Sequence, residues 1–151
     1  MRRELVAGIA SGAVGTFALN AATYLDMVGR GRPSSSMPAD AAKKLSALAQ
    51  VDLGDDDTAP NRREGLGALL GLVTGLGVGA AYGLVRSRVE VPTPLAAIGL
   101  GLAAMAGSDA PMAALGLTDP RDWDRTSWIS DLLPHLAYGA AAASAYRVFD
   151  A

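Results

Sequence analysis

Gly67, Gly71, Gly75, Gly79 and Gly83 recur at strict four-residue spacing inside the apolar run from Leu66 to Val85. On a helix this spacing draws a nearly straight ridge of bare backbone, rising about 24 Å at 1.5 Å per residue. In water each glycine costs a helix about 1 kcal/mol relative to alanine, so five of them make a poor soluble helix. In lipid the backbone must close its own hydrogen bonds, and small residues let two helices approach closely. The spacing therefore predicts a membrane helix. Its ridge either closes the protein's own bundle or pairs with a second copy.

The rest of the composition agrees. Half of the 151 residues are hydrophobic, yet only 5% are aromatic, and most of the apolar content is Ala, Leu, Gly and Val. A water-soluble core of this size would carry more Phe and Ile. The modest mean hydropathy hides a partition, because charge gathers in the termini and connections. The connection Val28–Glu64 alone holds six of the thirteen Lys and Arg residues. A net charge of −2 offers no basic field for nucleic acid, and the absence of cysteine excludes disulfides, thiolate metal sites and cysteine nucleophiles. Usage rich in Ala, Gly, Arg and Asp has a bacterial character.

Four segments are long enough to cross a hydrocarbon layer, which takes roughly 20 residues. The first covers 5–28, with Gly29 and Pro33 as stop signals. The second covers 62–85, where Asn61 and Glu64 have capping-box spacing. The third covers 94–117, with Thr93 as cap and Pro94 in the first turn. The fourth covers 130–149, with Ser130 as cap and Trp123 and Trp128 just ahead of it, where an interfacial belt lies. A cleaved signal peptide is the rival for the first segment. Glu4, a run beyond residue 20 and the lack of a small-x-small cleavage site oppose it. The expectation is an all-α, polytopic membrane protein: one domain, 1–151, of four transmembrane helices in a Gly/Ala-rich bundle.

Small residues also recur at four-residue spacing as Gly8, Gly12 and Thr16, as Gly99, Ala103 and Gly107, and as Gly139 and Ala143. The connection 29–61 is too long for a turn. A short helix over 38–50 fits it, with Leu45 and Leu48 on one side, lying on the lipid surface or solvated. Asp55, Asp56 and Asp57 lack the alternation of a calcium loop and read as a polar turn.

Four spans bring scattered polar residues to one membrane face. Asn20, Asp109, His135 and Tyr138 all fall roughly 8–12 Å below it at 1.5 Å per residue, and form a candidate intramembrane polar site. Ionisable side chains at such depth are costly and mark function by default. Asp109 follows Ser108 and precedes Pro111, which removes a backbone donor and opens the helix near Gly107. The site either conducts a proton or solute, or binds the helices together through hydrogen bonds. Asp131 has a simpler role in the first turn of its helix, where a carboxylate suits the helix dipole. With Asp109 and His135 it would make a metal triad without a motif, so no metal and no cofactor is expected.

No enzyme signature is present. The glycine tract lacks the Lys-Ser/Thr pair of a phosphate loop, and no nucleophile elbow occurs. Nucleic-acid binding lacks both basic stripe and aromatics. Orientation is open: eight Lys/Arg lie on the face with the long loop and five on the other, while Arg2 and Arg3 flank the first span.

Residues 111–120, Pro-Met-Ala-Ala-Leu-Gly-Leu-Thr-Asp-Pro, and residues 130–136, Ser-Asp-Leu-Leu-Pro-His-Leu, carry a resemblance. Together they resemble the C-terminal half of YagU-type bacterial inner-membrane proteins, where a helix broken near a proline ends in a Leu-Gly-Leu-Thr turn and the next helix opens with a His-Leu pair. The resemblance covers about a third of the chain. Ser108 and Asp109 depart from it at a region that carries a histidine there. It implies a multi-pass protein of the bacterial plasma membrane, of undefined activity, with Pro111 and His135 carried over. The function expected is a non-enzymatic membrane protein that packs through its glycine ridges with itself or a membrane-protein partner. The alternative is a proton-coupled transporter of small solutes, or a proton leak pathway, using Asp109 and His135.

Overall fold

The computed structural model describes residues 2–150, and these are helical apart from their connections. The five α-helices are α1 (Arg2–Arg30), α2 (Met37–Leu48), α3 (Ala59–Arg86), α4 (Thr93–Ala114) and α5 (Arg125–Phe149), with a 3₁₀ turn at Pro120–Asp122. The four long helices run alternately up and down. α1 lies antiparallel to both α3 and α5, and α4 lies antiparallel to α5. The polar-turn reading of residues 55–57 holds: Asp55 accepts the Thr58 N–H at 2.9 Å and the Thr58 hydroxyl at 2.7 Å.

Glycine decides how closely the helices meet. A Cβ built on Gly12 would stand 2.6 Å from the Gly75 carbonyl oxygen, and one on Gly79 would stand 2.7 Å from the Gly12 Cα. Backbone thus touches backbone along the α1–α3 seam. The α4–α5 seam repeats the device: a Cβ on Gly101 would lie 2.8 Å from the His135 carbonyl oxygen, and one on Gly139 would lie 2.6 Å from the Gly101 nitrogen.

The α3 ridge is divided among several partners. Gly75, Gly79 and Gly83 face α1, and Gly67 faces the backbone of Pro38 in α2. Gly71 falls between the two contacts, with nothing within 4 Å of a Cβ built there. Four of the five glycines are therefore occupied inside one chain and cannot serve as a seam for a second copy. On α4 the packed stripe is Ala96, Leu100, Gly101 and Ala104. Gly99 and Ala103 face outward instead, so of the expected stripe there only Gly107 approaches a neighbour, Thr74.

Large and small side chains are distributed inside out. Among the described residues alanine supplies eight of the eleven buried apolar side chains, while Phe17 and Val28 expose 76% and 83% of their surface. Leu25, Val73, Leu95 and Leu133 are exposed as well. Water would penalise this arrangement, whereas lipid leaves close backbone packing as the main attraction between helices. α1, α3 and α4 are each long and apolar enough to cross a membrane. α5, the expected fourth span, is long enough, but Ser127, Ser130, Asp131 and His135 leave it less apolar than the other three.

Several helix ends differ from expectation. Gly29 stays helical and the stop is Gly31, at φ +64°. Asn61 and Glu64 form no capping box, because α3 starts at Ala59 and places Pro60 in its first turn, where no N–H is needed. Asn61 donates instead to the Asp57 carbonyl at 3.3 Å. Thr93 is the first residue of α4 rather than its cap. α4 stops at Ala114, three residues early, because Gly116 at φ +70° closes a Schellman turn in which Leu117 N–H reaches the Met112 carbonyl at 3.0 Å. α5 begins at Arg125, capped by Asp124, whose carboxylate accepts the Ser127 N–H at 2.7 Å; Ser130 lies inside the helix. Trp128 is consequently helical and meets Trp123 edge to face at 5.1 Å. α2 packs on α3 through Ala41 and Ala42, so Leu45 and Leu48 point away from that contact.

Candidate functional site

Near one end of the α4–α5 seam, four polar side chains meet: Ser108 and Asp109 from α4, and Asp131 and His135 from α5. The antiparallel pairing set by Gly101 and Gly139 fixes this register: Ser108 and Asp109 lie about two turns past Gly101, and His135 about one turn before Gly139. Because α5 starts five residues earlier than expected, His135 lies ten residues into its helix, roughly 15 Å along the axis from Arg125. It is buried, while Asp109 and Asp131 are half-buried. Pro111 and Pro134 flank the group, and each removes one backbone donor from its helix.

The hydrogen bonds fix the state of the histidine. His135 Nδ1 stands 2.8 Å from the Asp131 carbonyl oxygen, and a carbonyl only accepts, so Nδ1 carries hydrogen. On the other side, Nε2 lies 3.4 Å from the Ser108 hydroxyl. That hydroxyl is also 3.2 Å from Asp109 Oδ1 and 2.9 Å from the Met105 carbonyl oxygen. It has one hydrogen for three acceptors. When His135 is neutral, Ser108 can donate to Nε2. When Nε2 is protonated it donates to Ser108, which can then donate to Asp109. His135, Ser108 and Asp109 thus stand in a line in which the serine hydroxyl can accept on one side and donate on the other.

Asp131 adds a second carboxylate. Its Oδ2 lies 3.4 Å from His135 Nδ1, within ion-pair distance but without hydrogen-bond geometry, and has no hydrogen-bond partner although buried. With all three groups ionised the cluster keeps one negative charge in excess, and gaining a proton neutralises it. No group of three His, Asp or Glu among the described residues is arranged to hold a metal ion.

Of the expected site, Asp109 and His135 come together, whereas Asn20 and Tyr138 do not join them. Asn20 is exposed on α1: the buried stripe ends at Thr16, and four residues on the helix has turned about 40° further. Tyr138 is fully buried, but its hydroxyl donates to the Gly75 carbonyl of α3 at 2.5 Å. Ser108 and Asp131 figure in the sequence reading beside Asp109, the first as its hydrogen-bond partner and the second in a metal triad, but are not counted in the expected site. For Asp131 the signal was the four-residue spacing to His135, outweighed there by a supposed place in the first turn.

Comparison with family models, with curated proteins and with solved structures finds no match for this chain.

Proposed function

We propose that this chain is a four-span integral protein of a bacterial plasma membrane, without enzymatic activity, whose working element is the line His135–Ser108–Asp109. In this reading the protein is a proton leak pathway or a proton-coupled transporter of small solutes. One observation carries it: three ionisable side chains and a shared hydroxyl converge from two helices inside an otherwise apolar bundle. Such groups are rare and expensive in a membrane and mark a functional site by default. The fourth span is supported by the position of α5, which packs against both α1 and α4 and so is sheltered from lipid on two sides. A sheltered helix can carry Asp131 and His135 where a lipid-facing one could not. The resemblance of residues 111–120 and 130–136 to YagU-type inner-membrane proteins supports the bacterial plasma membrane.

Proton flux into proteoliposomes carrying a pH-sensitive dye tests the reading. Wild type should conduct, and Asp109→Asn and Ser108→Ala should each abolish flux at matched reconstitution and unchanged melting. Absence of flux from wild type would remove the leak pathway, and a coupled transporter would then have to show flux only with its solute added.

A second reading has the bundle act by associating with another copy or with a membrane-protein partner. It is favoured by Gly71 and Gly99, which have open space at the Cβ position beside exposed Leu70, Leu72 and Ile98. Oligomer size in detergent that falls in a Gly71→Leu, Gly99→Leu double variant would select it.

A further inference from the structure

The end of the bundle opposite the Asp109 cluster holds a cleft of about 550 Å³. It is lined by Tyr82 and Arg86 at the end of α3, by Glu90 and Thr93 at the entry to α4, and by Tyr146 and Arg147 at the end of α5. Tyr146 is 1% exposed, and its buried hydroxyl has no hydrogen-bond partner among the described residues. The Arg86 guanidinium carbon lies 5.7 Å from the centre of the Tyr146 ring, with Tyr82 edge-on to that ring at 4.9 Å. Arg86 Nε is buried and lacks a hydrogen-bond partner as well. No side chain caps α4, whose cap position is Pro92, so the first-turn N–H groups of Thr93 and Leu95 are left for another acceptor. Among the described residues neither Arg86 nor Arg147 forms an ion pair with a carboxylate.

A phenol, two arginines and a helix N-terminus offer donors around one cleft, with Glu90 the carboxylate in its lining and Asp150 and Glu4 close enough to act on Tyr146. Arginine and helix N-termini both suit phosphate, the first by its fork of N–H groups and the second by its dipole. Glu90 on the rim suits an amine carried by the same molecule. The cleft also opens where α3 and α4 touch sparingly, above the exposed apolar side chains Val85 and Leu95. We propose that it binds a phosphate group, presented by a phospholipid headgroup such as phosphoethanolamine, with the acyl chains descending along α3 and α4.

The test is native mass spectrometry of the delipidated full chain in a maltoside detergent. Three probes are titrated: short-chain phosphatidylethanolamine, the matching diacylglycerol, which lacks phosphate, and inorganic phosphate. One phosphatidylethanolamine per chain should bind, and diacylglycerol should not. Arg86→Gln and Arg147→Gln should each weaken binding about 10-fold or more, in keeping with the loss of a charge-assisted hydrogen bond. Arg147 is exposed, so its variant keeps the test valid if Arg86→Gln fails to fold. Tyr146→Phe should weaken binding while raising the melting temperature of the lipid-free protein, because it deletes an unpartnered hydroxyl. Inorganic phosphate displacing the lipid at equal concentration would keep the phosphate site and assign it to the free ion. Diacylglycerol binding equally well, or both arginine variants binding as wild type does, would overturn the proposal.

Discussion

The Tyr138 hydroxyl of α5 donates to the Gly75 carbonyl of α3 at 2.5 Å, across the middle of the bundle. The same ring lies against Gly15 of α1, where an added Cβ would stand 2.7 Å from its edge carbons. One phenol thus links three helices, and it fits because two of them present glycine. Alanine at Gly15 would collide with the ring. The ridge that announces a membrane helix also makes room for one of the two fully buried tyrosines among the described residues.

Removing the hydroxyl and removing the ring should therefore differ. In Tyr138→Phe, Gly75 keeps its place in the α3 backbone ladder, so the cost is that of one hydrogen bond, about 1 kcal/mol or less. In Tyr138→Ala the space between Gly15, Gly75 and Ala142 cannot close, and the loss should reach about 3–5 kcal/mol. Unfolding in mixed detergent micelles measures both. Equal losses would mean that the ring is not the element that ties α5 to α1 and α3.

The α3 glycines should separate in the same assay. Leucine at Gly79 drives side-chain atoms into the backbone of Gly12, and overpacking of this kind costs on the order of 3 kcal/mol. Leucine at Gly71 meets open space and gains helix propensity, so stability should hold or rise slightly. A Gly71→Leu protein as unstable as Gly79→Leu would show that the whole ridge is packed.

How far the sequence could be read follows from which forces are local. Spacing of apolar and small residues is local, so α1, α3 and α4 were legible to within a few residues. So was the convergence of Asp109 with His135, which follows from counting along antiparallel helices. Helix ends were harder, because several residue types compete for each cap. Asn61 and Glu64 invite a start at residue 62, yet α3 starts at Ala59 with Pro60 in its first turn. Partner choice was not legible at all. Four-residue spacing marks Gly75 and Gly99 alike, yet α1 covers the first and nothing covers the second. Only the three-dimensional placement of α1 and α2 divides the ridge.

The start of α5 carries a pH dependence. Asp124 accepts the Ser127 N–H, and that bond holds its carboxyl below the ordinary value of 3.8. A carboxyl lowered in the folded state adds stability that is fully present above its unfolded value and is lost as pH falls through the folded one. Acidification from pH 5 to pH 3 should therefore loosen the first turn of α5, read as lower amide protection at Arg125–Trp128 once the intrinsic slowing of exchange over that range is divided out. Asp124→Asn retains a cap and should remove most of the dependence. Protection lost equally in both proteins would assign the acid effect elsewhere.

The inside-out distribution of side chains predicts a reversal of the usual mutational pattern. In a soluble protein, trimming a large apolar residue is costly because folding withdraws it from water. Here Val73 faces outward, 68% exposed, and in a bilayer it meets lipid in the folded bundle and in the separated helices alike. Val73→Ala should change stability by well under about 1 kcal/mol. Ala142 is fully buried against Tyr138 and the Gly15 backbone, so Ala142→Leu should separate α5 from α1 and cost about 1–3 kcal/mol or more. Unfolding in lipid bicelles would measure both, and an alkaline carbonate wash of membranes supplies the control, since a bundle packed in this way should stay in the pellet. If Val73→Ala proves the costlier change, or if the chain is released by carbonate, the exterior of the bundle is covered by something other than lipid. The three candidate spans would then need a different environment to account for them.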